Sequence, residues 1–200
     1  MPATKGGPRA SRALSLKARA RKIKLLLMDV DGVLTDGHIY YLPAPAAADA
    51  ASSPALIETK AFHCRDGLGI HLAHKSGLRT GLISGRESPI VEYRARELGI
   101  HFLRQNAKLK LGPYREILKE SKLKDSEVCF VGDDLVDLPV LVRVGLAVGV
   151  GNGHPRLRRY VHYVTRAPGG LGAVRETIEL ILDAQGKFRP ILNDFLALDR

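Results

Sequence analysis

Tryptophan is absent from this 200-residue chain, cysteine occurs twice, and aromatic residues make up only 6% of it. Cys64 and Cys129 are too few for a disulfide framework and have no metal-ligand spacing, which excludes a disulfide-stapled scaffold and a zinc finger. Cys129 lies inside a strand-like run and reads as a small core residue. With so few aromatics, little is available to stack on bases, so recognition of single-stranded nucleic acid is disfavoured. Long apolar runs are missing too. The stretches around Leu25 to Met28 and Val140 to Val150 are too short or too interrupted to span a bilayer. The expectation is a soluble, cytoplasmic chain with no membrane partner.

Acidic residues are missing from one end. Residues 1–22 carry Lys5, Arg9, Arg12, Lys17, Arg19, Arg21 and Lys22 with no Asp or Glu; taking these seven from the net charge of +10 leaves +3 for the other 178 residues. The body is therefore near balance, which argues against a nucleic-acid-binding surface. The Gly/Pro/Ser/Arg-rich start is read as a basic flexible tail that turns helical near Leu14 to Arg21, and it lacks the apolar core of a secretory signal. One domain is expected over 23–187, long enough to bury a full sheet, with 188–200 as a C-terminal tail.

Within that domain the pattern is α/β. The run Lys24-Leu25-Leu26-Leu27-Met28 reads as a buried parallel strand that delivers Asp29 and Asp31 and then breaks at Gly32. Both acids therefore sit at a strand's C-terminal end, where open α/β sheets place their chemistry. Two carboxylates sharing one face repel unless a cation lies between them or one keeps its proton, and Mg²⁺ suits such oxygen ligands. The stretch 38–62 reads as a hairpin whose arms flank a Pro/Ala-rich insert over 43–54. Asp66 to Lys75 has helical spacing. His71 and His74 lie on that helix at i and i+3 and read as solvated surface.

A second strand ends at Ser84-Gly85-Arg86, where backbone amides leading into the next helix make a phosphate cradle. Lys110 opens a further helix. A fourth strand, Glu127 to Val131, ends in Gly132-Asp133-Asp134-Leu135-Val136-Asp137, and three acids within five residues call for a compensating cation or the Lys110 ammonium.

In order and strand placement, Asp29-Val30-Asp31-Gly32, Ser84, Lys110 and Gly132 to Asp137 resemble the four motifs of the haloacid dehalogenase (HAD) phosphatase superfamily. Residues 22–187 further resemble its small capless 3-deoxy-D-manno-octulosonate 8-phosphate (KDO 8-phosphate) phosphatases, through Lys60-Ala61-Phe62, Arg65-Asp66-Gly67, His154-Pro155, Gly169 to Glu176 and Ala184-Gln185-Gly186-Lys187. The resemblance implies a Rossmann-like parallel sheet with helices on both faces, no cap, and a hairpin flap after the first strand. It implies a homotetramer in which neighbouring subunits replace the cap, and a place in KDO and lipopolysaccharide biosynthesis.

The same resemblance assigns roles. Asp29 is expected as nucleophile and Asp31 as acid and base, with Ser84 and Lys110 on the phosphoryl oxygens. Mg²⁺ is expected on Asp29, Asp133 and the Asp31 carbonyl, with Asp134 and Asp137 orienting Lys110 and the metal's waters. Thr35, Arg65, Gly85, Arg86, Arg94 and Arg175 are the candidates for binding the sugar acid, the arginines because guanidinium matches carboxylate bidentately. A nine-carbon sialic-acid-type 9-phosphate is the alternative substrate, and a nucleic-acid 3′-phosphate a more distant one. Arg86 directly after the motif glycine favours the eight-carbon acid.

Overall fold

The structure, a computed structural model, describes residues 14–44 and 56–197. Most of the Pro/Ala insert and the first thirteen residues of the basic segment lie outside the described residues. Strand β1 (Leu25–Met28) is followed by β2 (Tyr40–Pro43), β3 (Leu56–Thr59), β4 (Arg79–Ile83), β5 (Phe102–Arg104), β6 (Val128–Gly132), β7 (Leu146–Gly149) and β8 (Tyr163–Val164). Six of these form a parallel sheet in the order β5-β4-β1-β6-β7-β8, while β2 and β3 pair antiparallel with each other alone.

β1 is the central strand, and its continuous apolar run follows from burial on both faces. Leu26 and Met28 join one core with Ile70, Val174, Ile178 and Ile181. Leu25 and Leu27 point the other way, into a core with Tyr114, Ile117, Val140 and Leu141. The period of two thus divides four fully buried side chains between two helical layers, each side chain contributing about 1.5–3 kcal/mol of burial. The helices are α1 (Leu16–Ala20), α2 (Cys64–Lys75), α3 (Pro89–Glu97), α4 (Leu111–Ser121), α5 (Leu138–Leu141), α6 (Ala173–Ala184) and α7 (Phe188–Ala197); α2 and α6 lie in one layer, α4 and α5 in the other.

Asp66, wholly buried, accepts hydrogen bonds from the backbone amides of Gly172 (3.1 Å) and Arg175 (2.7 Å), so one carboxylate of α2 caps the N-terminus of α6. Gly69 completes that contact, since a Cβ there would stand 2.9 Å from Arg175 Cδ.

The helix expected near Leu14 to Arg21 is present, and the C-terminal stretch read as a tail is helical as well. Residues 14–22 include a short helix, Leu16–Ala20, capped by Ser15; Ala20 is buried, Arg19 Nη1 donates to the Gly145 carbonyl and Arg21 Nε to that of Ala184. Its two arginines donate to carbonyls of the body, which ties this segment to the domain, while Lys17, Arg21 and Lys22 remain exposed. After Lys187 a further helix runs Phe188–Ala197, seated by buried Ile191 and half-buried Phe188. Its amphipathic pattern was hidden in the sequence by Pro190, which is tolerated because it falls in the helix's first turn.

Candidate active site

The register of the sheet builds the site. Met28 lies level with Leu82 on β4 and Val131 on β6, so Asp29, Ser84 and Asp133 leave three adjacent strand ends together. Gly32, at φ 84°, turns the chain after the two acids, and its missing side chain is occupied by Asp133: a Cβ there would stand 2.2 Å from Asp133 Oδ2. Gly132 plays the same part for Asp137. The two glycines let two carboxylates fold in where side chains would otherwise stand.

Lys110, 2% exposed, is held between Asp29 Oδ2 and Asp137 Oδ1 at 2.6 Å each. Burial alone would lower the lysine's pKa, but the two carboxylates outweigh it and raise it. Asp137 Oδ2 accepts from the amides of Asp133 (2.9 Å) and Asp134 (3.3 Å), so both of its oxygens are engaged. Asp29 Oδ1 accepts from the Val30 amide at 2.7 Å. Burial pushes the Asp29 carboxyl up to about 6 against the pull of Lys110, and burial with the charges of Asp29 and Asp137 pushes Asp133 up to about 7. Carboxylate oxygens of Asp29, Asp133 and Asp137 lie within 4.8 Å of one another. Three acids face one lysine, a balance that a divalent cation would correct. Asp29 and Asp133 line the cleft and Asp137 does not, so Asp29 and Asp133 are the carboxylates that could hold it from the open side. Asp31 stands outside this group of three side chains.

These residues open on a cavity of about 450 Å³, also lined by Asp31, Gly85, Arg86, Lys108 and Asp134. Ser84 is buried beneath it and accepts from the Arg86 amide. Asp134 caps the following turn through the Leu135 amide rather than touching Lys110, so orienting the lysine falls to Asp137. Of the four arginines expected at the sugar acid, one chain brings only Arg86 to the cleft. Arg94 lies over the Phe62 ring and pairs with Glu97. Arg65 and Arg175 line a separate cleft of about 310 Å³, where Arg175 is tied to Glu179. Thr35 is buried; it donates to the Val30 carbonyl and accepts from the Gly37 amide, bracing the loop after β1. The histidine pair stays apart from this chemistry, with His74 against Thr80 and His101.

Two residues at the cleft were not anticipated. Lys60 Nζ lies 2.5 Å from Asp31 Oδ1, and Glu58 lies between Lys60 and Arg86. Their period-two spacing on a hairpin arm, opposite in charge and on one face, was the available signal.

Residues 68–145 match the family model described as haloacid dehalogenase-like hydrolase, and with the sheet order and the acids at the ends of β1 and β6 they define a hydrolase of that class. The chain is 44% identical over 170 residues to the 3-deoxy-D-manno-octulosonate 8-phosphate phosphatase KdsC of Escherichia coli K12, covering 85% of each. It superposes with TM-score 0.78 on the phosphatase of that name from Yersinia pestis (42% identity, 87% of this chain and 88% of the other). The corresponding Moraxella catarrhalis structure, in complex with magnesium, phosphate and KDO, gives TM-score 0.81 (38% identity, 90% and 97%). The chain belongs to the 3-deoxy-D-manno-octulosonate 8-phosphate phosphatase family.

Proposed function

We propose that the chain is a magnesium-dependent phosphatase that hydrolyses 3-deoxy-D-manno-octulosonate 8-phosphate to the free sugar acid and phosphate. The observation that carries this reading is Lys110 locked between Asp29 and Asp137 beside Asp133, at the strand ends of a chain whose relatives bear that name. Mg²⁺ fits the donor set, since it takes hard oxygen ligands; Asp29 and Asp133 would hold it, with the Asp31 carbonyl as the family resemblance implies. When bound, the ion neutralises phosphate charge so that a carboxylate can approach an anion.

The chain's own groups then do the rest. Ionised Asp29 attacks phosphorus through one oxygen while the bond to the sugar oxygen breaks, leaving an aspartyl-phosphate. Asp31 gives a proton to the departing alkoxide and later takes one from the water that hydrolyses the intermediate. Ser84 and Lys110 hold the phosphoryl oxygens, with Asp137 fixing Lys110, and Arg86 receives the sugar's carboxylate.

The assembly in this reading is a homotetramer that covers the open cleft. In its support, Tyr41, Leu42, Leu56 and Ile57 of the isolated hairpin are each about half exposed or more, an apolar surface that a partner chain would bury. A cytoplasmic setting agrees with two unpaired cysteines. Among the described residues no helix is long and apolar enough to cross a membrane.

A phosphate-release panel with Mg²⁺ tests the substrate. The eight-carbon sugar-acid phosphate should exceed other sugar phosphates in kcat/KM by at least ~10-fold. Faster turnover of a nine-carbon 9-phosphate or a 3′-phosphorylated oligonucleotide would overturn the assignment.

A further inference from the structure

Four charges of alternating sign cross from the end of β1 to the loop after β4, by way of the hairpin. Lys60, the first residue after β3, has a side chain with no exposed surface; its ammonium lies 2.5 Å from Asp31 Oδ1 and 3.1 Å from Glu58 Oε1. Glu58 Oε2 in turn lies 3.0 Å from Arg86 Nη2. Two carboxylates within 3.1 Å of one ammonium hold it in place between the end of β1 and the hairpin. An exposed pair of this kind contributes little, but a fully buried ammonium hydrogen-bonded to Asp31 and ion-paired with Glu58 fixes geometry. The contact is one-sided. Lys60 takes Oδ1 of Asp31, and Oδ2 has no hydrogen-bond partner among the described residues, while the residue lines the cavity that Asp29 and Lys110 also line.

We propose that Lys60 is a positioning residue for proton transfer: by gripping Asp31 Oδ1 it aims the carboxyl at the leaving group, with Glu58, anchored on Arg86, setting Lys60 in turn. This rests on the phosphatase reading above, with Asp31 as the acid and base. It also gives the hairpin a part in the reaction besides any part in assembly, because Glu58 belongs to β3 and Lys60 directly follows it.

Leaving-group dependence provides the test. An alkoxide needs a proton as it departs, whereas p-nitrophenolate departs without one; kcat/KM covers the steps only as far as the aspartyl-phosphate, before Asp31 acts on water, so in that ratio the alkoxide reaction alone senses how Asp31 is aimed. For Lys60→Met, kcat/KM on the sugar-acid phosphate should fall ~100-fold, and on p-nitrophenyl phosphate by no more than ~3-fold; a simple alkyl phosphate, which offers Arg86 no carboxylate, should share the larger loss, and its sparing would overturn the proposal. Lys60→Arg should recover much of the loss on the sugar phosphate, since it restores a donor to Asp31. Equal losses on both substrates, or no loss on either, would overturn the proposal. Should Lys60→Met fail to fold, Glu58→Gln keeps the shape while loosening Lys60 and should show the same split on a smaller scale; an even loss there overturns it as well. Asp31→Asn separates the two levels of inference. If that variant lacks the split, Asp31 is not the acid, and the proposal falls with the reading beneath it; if Asp31→Asn has the split and Lys60→Met lacks it, only the role of Lys60 falls.

Discussion

Asp137 occupies the space that a side chain at Gly132 would fill: a Cβ on Gly132 would stand 2.5 Å from Asp137 Oδ2 and 2.7 Å from its Cβ. The same carboxylate accepts the Asp133 amide and holds Lys110, which holds Asp29. A single methyl group at position 132 would therefore displace Lys110 from the nucleophile. Gly132→Ala is expected to destabilise the fold by about 1–3 kcal/mol and to reduce kcat by at least ~10-fold, measured by thermal unfolding and steady-state kinetics. An unchanged kcat would separate Asp137 from catalysis.

Removing the nucleophile should stop the reaction without disturbing the sheet. Asp29→Asn cannot form the acyl phosphate and should leave no measurable turnover, with circular dichroism unchanged. Asp31→Asn should lower kcat by ~10²–10⁴ with little change in KM. Turnover near the original rate in a well-folded Asp29→Asn protein would remove Asp29 from the role.

The acids of the site make the metal-free protein sensitive to pH in a particular direction. Burial raises Asp29 to about 6 and Asp133 to about 7, both above the ordinary 3.8, so each binds its proton more tightly folded than unfolded. Their contribution to stability is thus fully present below the unfolded value and is lost as pH rises through about 6 and about 7. At pH 8 without metal, Asp133→Asn should melt several degrees above the unsubstituted chain, and added Mg²⁺ should raise the Tm of the unsubstituted chain alone. A lower metal-free Tm for Asp133→Asn would contradict the electrostatic account.

The hairpin's part in assembly can be probed at one cross-strand pair. Leu42 and Ile57 lie opposite one another and are 53% and 49% exposed. Leu42→Glu with Ile57→Glu places like charges together and should give a monomer by light scattering. Its kcat/KM on the sugar-acid phosphate should drop by ~10-fold or more, with hydrolysis of p-nitrophenyl phosphate largely kept. An intact oligomer carrying both substitutions would place the interface elsewhere.

Most of the sheet was legible because its signals are local. β1 announces itself by a continuous apolar run, and Asp29, Ser84 and Asp133 each stand where a strand gives way to glycine or a turn. Lys110 could be read from its place at a helix start. Glu58 and Lys60 show only a faint signal, their period-two spacing, because a charged pair on a hairpin arm looks solvated until Lys60 meets Asp31. The arginines were read from their chemistry. Arg86 is marked by its place directly after Ser84-Gly85 and faces the cleft, but nothing in the sequence tells that Arg94 covers Phe62 or that Arg175 pairs along its own helix. Residues 14–22 looked like a tail by composition, yet Arg19 and Arg21 find carbonyls of the body that only the folded chain presents.

The placing of β1 between β4 and β6 also governs when the protein can act during its own synthesis. Asp29 leaves the ribosome early, but the strand that bears it finds its first neighbour only when β4 has emerged and its second only after β6, far along the chain. Before β4 both edges of this apolar segment are unpaired, and until β6 one still is, the kind of surface that chaperones hold. The nascent chain therefore carries a nucleophile long before it carries a phosphatase, and a truncation before Asp133 would yield an inert, aggregation-prone fragment rather than a slow enzyme.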